Sequence, residues 1–501
     1  MTGNRDRSST VEILLLLVIL AAGFAVRVYD LKDPPLDFHA TRQLRSAILS
    51  RAFYYQDASN ADLSLVSQSK TLAQLETYEP PIMEWLVSRV NLMIGQDVFW
   101  TGRIFSAFFW SLGGLFLYLI VQKLASGWSG LISLLIYFFL PMSVIMSRSF
   151  QPDPWMCCWV IVFAWSCLRW TGDPSWGNTA LCGMLGAIAI LSKLFAVFFV
   201  AIMFLGALLG MVRKPDFAKT LLKGMVAGII MVTPAFIYYL LQNTDASASF
   251  WSTWVVSLSG LIGTGEFYAR WIAMIKGITG LILPLLAICG VILMETRYFP
   301  VFTGWWVGVL IFGLVFPYQT ITHEYYSLIL IPLVAISVAP ILQLIVEKAA
   351  TSRKWTQYGI GIAVSLAAFY GAYAAMGTLR ATDYGLEPAS WRKVADAIPQ
   401  DELFIALTGD YGMRLNYFGW RSPSRMWPDA NDVALATLQG KPQEGFESFF
   451  AAQTEGMKYF LITADTELAR QPLLQQALER FPIYREGNGF KLYNLSELSA
   501  P

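Results

Sequence analysis

The fold is decided by residues 11–40, which read VEILLLLVILAAGFAVRVYDLKDPPLDFHA. The apolar run Val11–Val26 approaches the roughly 20 residues that a helix needs to cross a bilayer, and the polar residues that follow Arg27 end it. Arg5 and Arg7 precede the run, as in a secretory signal peptide, but no A-x-A-like cleavage site follows it. The run is therefore predicted to be a first transmembrane helix that the mature protein keeps.

The composition extends this interpretation to most of the chain. Of the 501 residues, 55% are hydrophobic and only 14% are charged, with a mean hydropathy of +0.50. Soluble domains carry about 25% charged residues, so lipid is the main solvent. The net charge of +1 argues against a nucleic-acid partner, because such proteins present a basic patch or stripe. The five cysteines lie in apolar runs and are interpreted as small buried side chains.

Apolar runs of spanning length recur as far as residue 377, which predicts an α-helical polytopic protein with about eleven transmembrane helices. The region 1–377 is therefore predicted to be a transmembrane domain, and 378–501, which lacks such a run, a soluble domain. The predicted spans lie near 11–28, 100–122, 128–147, 155–171, 179–192, 194–212, 220–241, 271–294, 300–317, 326–346 and 356–377.

Sidedness follows from the positive residues of the short loops, which gather in the cytoplasm. With a cytoplasmic N-terminus, the loop 29–98, the loop 242–270 and the C-terminal domain are exoplasmic. A multi-pass protein of a bacterial inner membrane is the favoured location, with the endoplasmic reticulum as the alternative. The cytoplasmic loops then contain Lys123, Arg169, Arg213, Lys214, Lys219, Lys223, Arg297, Lys348, Arg353 and Lys354.

Two soluble elements complete the predicted architecture. Within the loop 29–98, Ala40–Tyr55 and Ile82–Ile94 have amphipathic character and are predicted to be interfacial helices. In 378–501, β-like runs at Leu403–Leu407 and Tyr459–Ile462 alternate with helical stretches and precede a hairpin that turns near 486–489. A small α/β domain is expected there.

Ionisable residues beside membrane spans cost free energy, so each of them is by default a candidate for a functional site. Here they gather at helix mouths on the predicted exoplasmic side, and the set includes both histidines of the chain. The candidates are Asp37, His39, Arg42 and Arg45 in the first loop, Arg148 and Asp153 between the third and fourth spans, Lys193 between the fifth and sixth, and His323, Glu324, Tyr325 and Tyr326 before the tenth.

Such a set suits sugar transfer from a phospholipid donor. A carboxylate deprotonates or orients the acceptor, and cations hold the leaving phosphate as its charge grows. Interfacial helices above a bundle of spans keep the sugar at the surface while the lipid tail stays in the bilayer.

The pattern resembles the GT-C membrane glycosyltransferases, above all family 39, the dolichyl-phosphate-mannose-protein mannosyltransferase-like proteins, and the related lipid A aminoarabinose transferases. The resemblance covers residues 1 to about 380. Asp37 matches the Asp of an Asp-Glu pair that is the proposed catalytic base of those enzymes, while Phe38 replaces the Glu. Gln151-Pro152-Asp153 resembles the acidic motif of their second exoplasmic loop, and His323–Tyr326 resembles a motif at a later span start.

One motif departs from the family. Where the lipid A branch has Glu-Lys-Pro-Pro, this chain has Tyr78-Glu79-Pro80-Pro81, so an acid replaces a phosphate-binding lysine. The resemblance implies an inverting transferase for hexosyl or pentosyl groups that uses a polyprenyl-phosphate sugar, with a lipid, glycan or protein as acceptor and membrane lipids around it. Asp37 and Asp153 are the predicted catalytic residues. The predicted substrate-binding residues are His39, Arg42, Arg45, Glu79, Arg148, Lys193, His323, Glu324, Tyr325 and Tyr326.

Simpler roles stay open for the same residues. Asp37 is also placed to cap the helix that begins near Ala40, Asp153 to end a span between two prolines, and Lys193 to snorkel to the headgroups. The arginines suit anionic headgroups, and Tyr325 and Tyr326 suit an aromatic belt. A divalent metal bound by His39 or His323 with Glu79 or Glu324 also stays open.

Two other classes of protein compete with the enzyme. A secondary transporter or lipid flippase would show related halves and charges near mid-span, whereas the charges here lie at helix mouths and no repeated half is visible. A receptor-like scaffold would place binding in 378–501 alone and would tolerate alanine at Asp37 and Asp153.

Overall fold

The computed structural model describes residues 2–59, 62–75, 79–241, 250–442 and 444–498, with side chains from Thr10 onward. Its contacts divide the chain into two compact units. The first comprises Met1–Leu31, Thr77–Met83 and Gly102–Thr382, and the second comprises Lys32–Glu76, Glu84–Thr101 and Asp383–Pro501. The second unit thus groups most of the first loop with the C-terminal segment, whereas the predicted boundary at 377/378 remains a prediction from hydropathy.

Helices make up most of the first unit, and the second unit combines helices with a sheet. A π-helical turn at Ser252–Val256 and 3₁₀ turns at Ser259–Gly263 and Glu324–Ser327 connect some of them. In chain order the α-helices are α1 Thr2–Arg27, α2 Ala40–Asp57, α3 Leu63–Leu72, α4 Ile82–Ile94, α5 Trp100–Leu124, α6 Gly127–Phe139, α7 Pro141–Ser147, α8 Pro152–Gly172, α9 Trp176–Ser192, α10 Ala196–Leu209, α11 Phe217–Leu241, α12 Gly265–Thr279, α13 Ile282–Ile292, α14 Phe299–Val315, α15 Pro317–Thr322, α16 Leu330–Ser337, α17 Ala339–Ala350, α18 Lys354–Arg380, α19 Glu387–Ala397, α20 Met413–Gly419, α21 Ala430–Leu438, α22 Phe446–Thr454, α23 Asp465–Leu468 and α24 Pro472–Leu478.

The apolar helices make the protein an integral, multi-pass membrane protein. Five segments of the described chain are long and apolar enough to span a bilayer unaided, and two bent helix pairs raise the number to seven if each pair counts as one span. The bent pairs are α6–α7, at 64°, and α12–α13, at 90°. The five segments are Thr10–Arg27, Trp100–Leu124, Phe217–Leu241, Glu324–Ala350 and Lys354–Arg380.

Every predicted span coincides with a helix or a helix pair, but two of them are not straight. The run near 128–147 bends where Pro141 begins a new helix after the non-helical Leu140. The run near 271–294 bends at Gly280, whose φ of 70° lies in the left-handed region that favours glycine. The remaining predicted spans correspond to α8, α9, α10 and α14, of which the last three are shorter than 18 residues.

Arg27, at the end of α1, stabilises the first bend. Its side chain is fully buried, and its guanidinium donates to Ser147 Oγ at 2.6 Å and to the carbonyl oxygens of Gly23 at 2.7 Å and Phe138 at 3.0 Å. It also donates to Ser143 Oγ at 3.0 Å. Neutral acceptors from both arms of the α6–α7 pair therefore satisfy this buried cation, and the bend is fixed against α1.

A seam of glycines joins α10 to α14. A Cβ atom at Gly206 would overlap the carbonyl oxygen of Pro300, and a Cβ atom at Gly308 would overlap that of Phe198. A Cβ atom at Gly304 would lie 2.5 Å from the carbonyl oxygen of Ile202. Gly304 and Gly308 have the G-x-x-x-G spacing that lets helix backbones approach closely in membranes.

The second unit contains a five-stranded sheet in the order β2-β1-β3-β5-β4. The strands β1, β2 and β3 are parallel, whereas β4 and β5 form an antiparallel hairpin. Every residue of β1 and β3 is buried, because helices cover both faces of the sheet. This arrangement confirms the small α/β domain. The strands are β1 Phe404–Leu407, β2 Arg425–Met426, β3 Tyr459–Ile462, β4 Ile483–Gly487 and β5 Phe490–Asn494.

Two predicted helices of the first loop are present as α2 and α4, and a further helix, α3, lies between them. Asp62 caps α3 by accepting a hydrogen bond from the backbone N–H of Ser64. The prediction for the cysteines holds for four of the five, since Cys289 on α13 is exposed.

Candidate functional site

A buried ion pair lies in the first unit where three helices begin or end. Pro152 occupies the first turn of α8 and places Asp153 beside it, at the helix end that favours a negative charge. Lys193 follows α9 in an extended conformation, with φ −165° and ψ 125°, before α10 begins. Its Nζ lies 2.7 Å from Asp153 Oδ1, and the side chains are 1% and 0% exposed.

Aromatic rings surround the ammonium of Lys193. Its Nζ lies 4.5 Å from the ring centre of Tyr326, 5.1 Å from that of Tyr325 and 5.6 Å from that of Phe195. Ring faces attract cations, most strongly where water is excluded. The structure therefore brings together Asp153, Lys193, Tyr325 and Tyr326, residues from separate predicted constellations.

Polar atoms next to this pair lack hydrogen-bond partners among the described residues. They are Oδ2 of Asp153 and both amide atoms of Gln151, whose side chains are fully buried. Because buried polar groups are nearly always paired, such atoms are available to a polar ligand. The sequence motif contained Gln151, but the prediction gave it no role.

His323 and Glu324 flank the same aromatic cluster. His323 follows α15, and its Nδ1 lies 2.7 Å from Thr322 Oγ1. The imidazole ring centre is 5.4 Å from that of Tyr325 and 6.1 Å from that of Tyr326. Glu324 begins the 3₁₀ turn and is half-buried. The histidine thus lies next to the rings that cover Lys193.

Arg148 is buried and holds the end of the first span. Its Nη2 lies 3.2 Å from the carbonyl oxygen of Asp30, and the buried Arg103 reaches the same oxygen at 3.4 Å. Asp30 has a φ of 49°, which a non-glycine residue adopts only when its surroundings hold it there. Arg148 therefore has a structural contact beside its predicted role toward phosphate.

Asp37 belongs to the second unit, where helix α2 holds it. Asp37 Oδ1 accepts a hydrogen bond from Gln43 Nε2 at 3.1 Å, and the same nitrogen donates to the carbonyl oxygen of Phe38 at 2.7 Å. Gln43 is fully buried, whereas Asp37 is half-buried. The cap position of α2 is occupied by His39, in the left-handed region at φ 44°. The capping role considered for Asp37 is therefore not the one that the structure shows.

The other predicted residues are divided between the units. Arg42 and Arg45 are half-buried on α2, in the second unit. Glu79, in the first unit, interacts electrostatically with Tyr238 and Tyr239 near the end of α11, while Tyr78 of its motif lies outside the described residues. The convergence of Asp37 with the Asp153–Lys193 pair on one chamber stays a prediction.

The candidate metal ligands are divided between the two units: His39 lies in the second, and Glu79, His323 and Glu324 lie in the first. The described residues contain no group of three or more His, Cys, Asp or Glu side chains placed to hold an ion. His323 Nδ1 lies within hydrogen-bonding distance of the Thr322 hydroxyl.

The chain was compared with protein families and with curated proteins of known function. Residues 78–239 match the sequence model of a family described as dolichyl-phosphate-mannose-protein mannosyltransferase. Asp153 and Lys193 both lie inside that match. No curated protein is detectably similar to the chain in sequence.

Solved structures resemble the chain over most of its length. ArnT from Cupriavidus metallidurans bound to undecaprenyl phosphate is 16% identical, with a TM-score of 0.58 over 98% of this chain and 99% of ArnT. The archaeal oligosaccharyltransferase AglB from Archaeoglobus fulgidus is 12% identical, with a TM-score of 0.59 over 97% of this chain and 75% of AglB. The arabinofuranosyltransferase AftD from Mycobacteria is 14% identical, with a TM-score of 0.51 over 89% of this chain and 36% of AftD. Identities this low establish the fold alone.

Proposed function

We propose, from the premise that the chain is a multi-pass membrane protein with the fold of the GT-C glycosyltransferases, that it transfers a sugar from a polyprenyl-phosphate donor. The acceptor is a lipid, glycan or protein on the non-cytoplasmic face, and the anomeric carbon is inverted. The proposed orientation has a cytoplasmic N-terminus and an exoplasmic C-terminal domain, in a bacterial inner membrane.

The observation that carries this proposal is the Asp153–Lys193 pair. A cation sealed from water at a break between membrane helices is expensive, and a structural role alone does not require Lys193 to be ringed by aromatic side chains. A lipid phosphate that reached this place would find an ammonium already oriented by Asp153. The unpartnered amide of Gln151 would offer hydrogen bonds to a sugar.

The proposed reaction is a single displacement. Asp37 accepts the proton of the acceptor hydroxyl or amine as the acceptor atom bonds to the anomeric carbon. The bond from that carbon to the phosphate oxygen breaks, and its electron pair leaves on polyprenyl phosphate. Lys193, together with Arg42 and Arg45, neutralises the growing charge. Asp153 orients the donor through Lys193.

Three further observations support a polyprenyl carrier. The ArnT structure that shares this fold contains undecaprenyl phosphate, and the family match carries a dolichyl-phosphate donor in its description. The apolar helices of the first unit offer a lipid tail the solvent that it needs.

The test combines lipid analysis with turnover. Mass spectrometry of lipids that co-purify with the full-length protein should show a polyprenyl phosphate or its sugar conjugate. A panel of undecaprenyl-phosphate-linked hexoses and pentoses, with membrane lipid extract as acceptor, should release undecaprenyl phosphate for at least one sugar. Absence of both results, with uptake of a soluble solute by proteoliposomes instead, would replace the enzyme by a transporter.

A further inference from the structure

A short segment of the C-terminal domain holds the helices of the first loop. Within the second unit, Asn416 Nδ2 donates to the carbonyl oxygen of Leu72 at 3.0 Å, where α3 ends. Gln68 Nε2 on α3 donates to the carbonyl oxygen of Trp420 at 3.0 Å. Residues 413–420 are therefore bonded to α3 at two points.

Arg51 of α2 forms the centre of this contact. Its guanidinium carbon lies 3.8 Å from the ring centre of Tyr417 and 4.4 Å from that of Trp420. Its Nη1 donates to the carbonyl oxygen of Tyr417 at 2.7 Å, and its Nε lies 2.9 Å from Asp97 Oδ2. The Arg51 and Asp97 side chains are 7% and 11% exposed. Arg51, Asp97, Tyr417 and Trp420 are called the Arg51 clamp below.

The backbone of Trp420 shows that the clamp is held against strain. Its φ of 54° and ψ of 31° lie in the left-handed region, which bulky residues rarely adopt. Such a conformation persists only where the surroundings over-determine it. Here the surroundings include Arg51 and the ring of Tyr55, whose centre lies 5.6 Å from that of Trp420 in an edge-to-face arrangement. The contact with α2 thus stabilises an unfavourable backbone conformation.

Helix α2 connects the clamp to Asp37. Gln43, which donates to Asp37 Oδ1, precedes Arg51 by eight residues on the same helix, a distance of about 12 Å along its axis. At the other end of the loop, Asp33 Oδ1 accepts a hydrogen bond from the backbone N–H of Tyr384 at 2.9 Å. The segment that carries Asp37 is therefore attached to the C-terminal region on both sides.

We propose that Arg51 is a positioning residue: held by Tyr417, Trp420 and Asp97, it fixes α2 and thereby orients the Asp37 carboxylate through Gln43. The C-terminal α/β domain then contributes to catalysis by holding the loop that carries the base. Only the kinetic part of this inference, the effect on kcat, rests on the proposed function. The structural part, that the clamp holds α2, does not.

The test uses the full-length protein in lipid nanodiscs. Arg51→Lys keeps the charge that faces Asp97 but loses the planar guanidinium that stacks on the rings, and Trp420→Ala removes one ring. Trp420→Phe is the conservative variant. Arg89→Lys is the matched control, because Arg89, at 26% exposure, pairs with Asp57 at the C-terminal end of α2 and is not part of the clamp.

Two measurements are compared across these variants. Amide hydrogen exchange of residues 37–47 should become at least ten-fold faster in Arg51→Lys and Trp420→Ala, and should stay near wild type in Trp420→Phe and Arg89→Lys. For an undecaprenyl-phosphate-linked sugar that the wild type uses, kcat should fall at least ten-fold in the first two variants while KM changes less than two-fold. A purely structural role would reduce the yield of folded protein and leave kcat unchanged.

Unchanged exchange in residues 37–47 would overturn the inference, and so would faster exchange with wild-type kcat. Should Arg51→Lys not fold, Trp420→Ala decides, since it leaves the Arg51–Asp97 pair intact. A wild-type protein that turns over no sugar conjugate would refute the proposed function and the kinetic part of the inference. The exchange result would then still show whether the clamp holds the loop.

Discussion

Two carboxylates of this protein are held in opposite ways. Asp153 lies in the membrane-embedded unit, completely buried, 2.7 Å from the ammonium of Lys193. Asp37 lies in the other unit, half-buried, with the neutral amide of Gln43 at 3.1 Å. Burial and partner both differ, although the sequence offers each residue as an acid next to a proline-rich turn.

The difference separates their roles. A fully buried carboxylate that is paired with a cation through one oxygen suits an anchor that orients Lys193. A half-buried carboxylate beside a neutral amide is more accessible to an acceptor, as a general base must be. Substitutions can test this division, and the largest effect is expected at Asp37.

Replacing Asp37 by Asn should lower the turnover of an undecaprenyl-phosphate-linked sugar by about 10²–10⁴-fold, the usual contribution of a general base. The affinity for undecaprenyl phosphate, measured by native mass spectrometry, should change little. Asp62→Asn is the control, because it makes the same chemical change at an exposed cap that Asn also serves. Full turnover in Asp37→Asn would remove Asp37 from the role of base.

Breaking the buried pair should affect stability most. Lys193→Met leaves the Asp153 charge buried and should destabilise the folded protein by about 3–5 kcal/mol, whereas the double variant Asp153→Leu/Lys193→Met should recover most of that loss. Thermal unfolding in detergent measures both.

The control for the pair is Lys219→Met, whose partner Asp216 is exposed and whose loss should cost at most about 1 kcal/mol. Restored donor turnover in the double variant would show that the pair is purely structural. Restored stability without turnover would sharpen the assignment of Lys193 to the phosphate.

A smaller effect on stability is expected from the aromatic rings around Lys193. Tyr326→Leu removes a ring face from the desolvated ammonium of Lys193 and should cost about 1–2 kcal/mol, while Tyr326→Phe keeps the ring and should lie close to wild type. Equal melting temperatures for the Leu and Phe variants would mean that the ring face contributes nothing.

The smallest effect concerns a buried carboxylate outside the membrane. Burial raises the pKa of Asp410 above its ordinary value, although Arg414 opposes the shift with a backbone N–H at 2.9 Å and its guanidinium. The folded protein therefore binds this proton more tightly than the unfolded chain, and stability falls as pH rises through the window from the ordinary to the raised value.

Asp410→Asn lacks that proton and should be less sensitive to pH in the same window. As the pH rises from 4 toward neutrality, the melting temperature of the variant should therefore increase relative to that of the wild type. A constant difference across this range would contradict the raised pKa.

Much of the architecture could be predicted because it depends on local patterns. Apolar length marked the spans, and short β-branched or aromatic runs marked β1 and β3. The bends were missed because the apolar runs continue through Pro141 and Gly280, so hydropathy alone shows no break. The two-residue strand β2 is too short to produce a pattern.

The candidate site shows where sequence reasoning stops. Asp153 and Lys193 were both selected as charges at helix mouths, but their pairing across 40 residues depends on how helices pack. The Arg51 clamp joins residues that are 366 positions apart. From the sequence alone, Arg51 is only one arginine of a predicted amphipathic helix, and nothing there indicates its distant partners. Gln151 could not be assigned a role from the sequence, because an uncharged amide in a loop is usually exposed to water and becomes a candidate ligand only when it is found to be buried.

The glycine seam between α10 and α14 restricts motion near the site. With backbone against backbone at Gly206, Gly304 and Gly308, neither helix can slide or rotate past the other without a collision of main-chain atoms. Lys193 lies three residues before the start of α10, so we expect its backbone to keep its position relative to α14. The segment 317–327 is not part of this seam, and its Tyr325 and Tyr326 lie against the Lys193 ammonium, which makes it a place to attach probes of opening and closing.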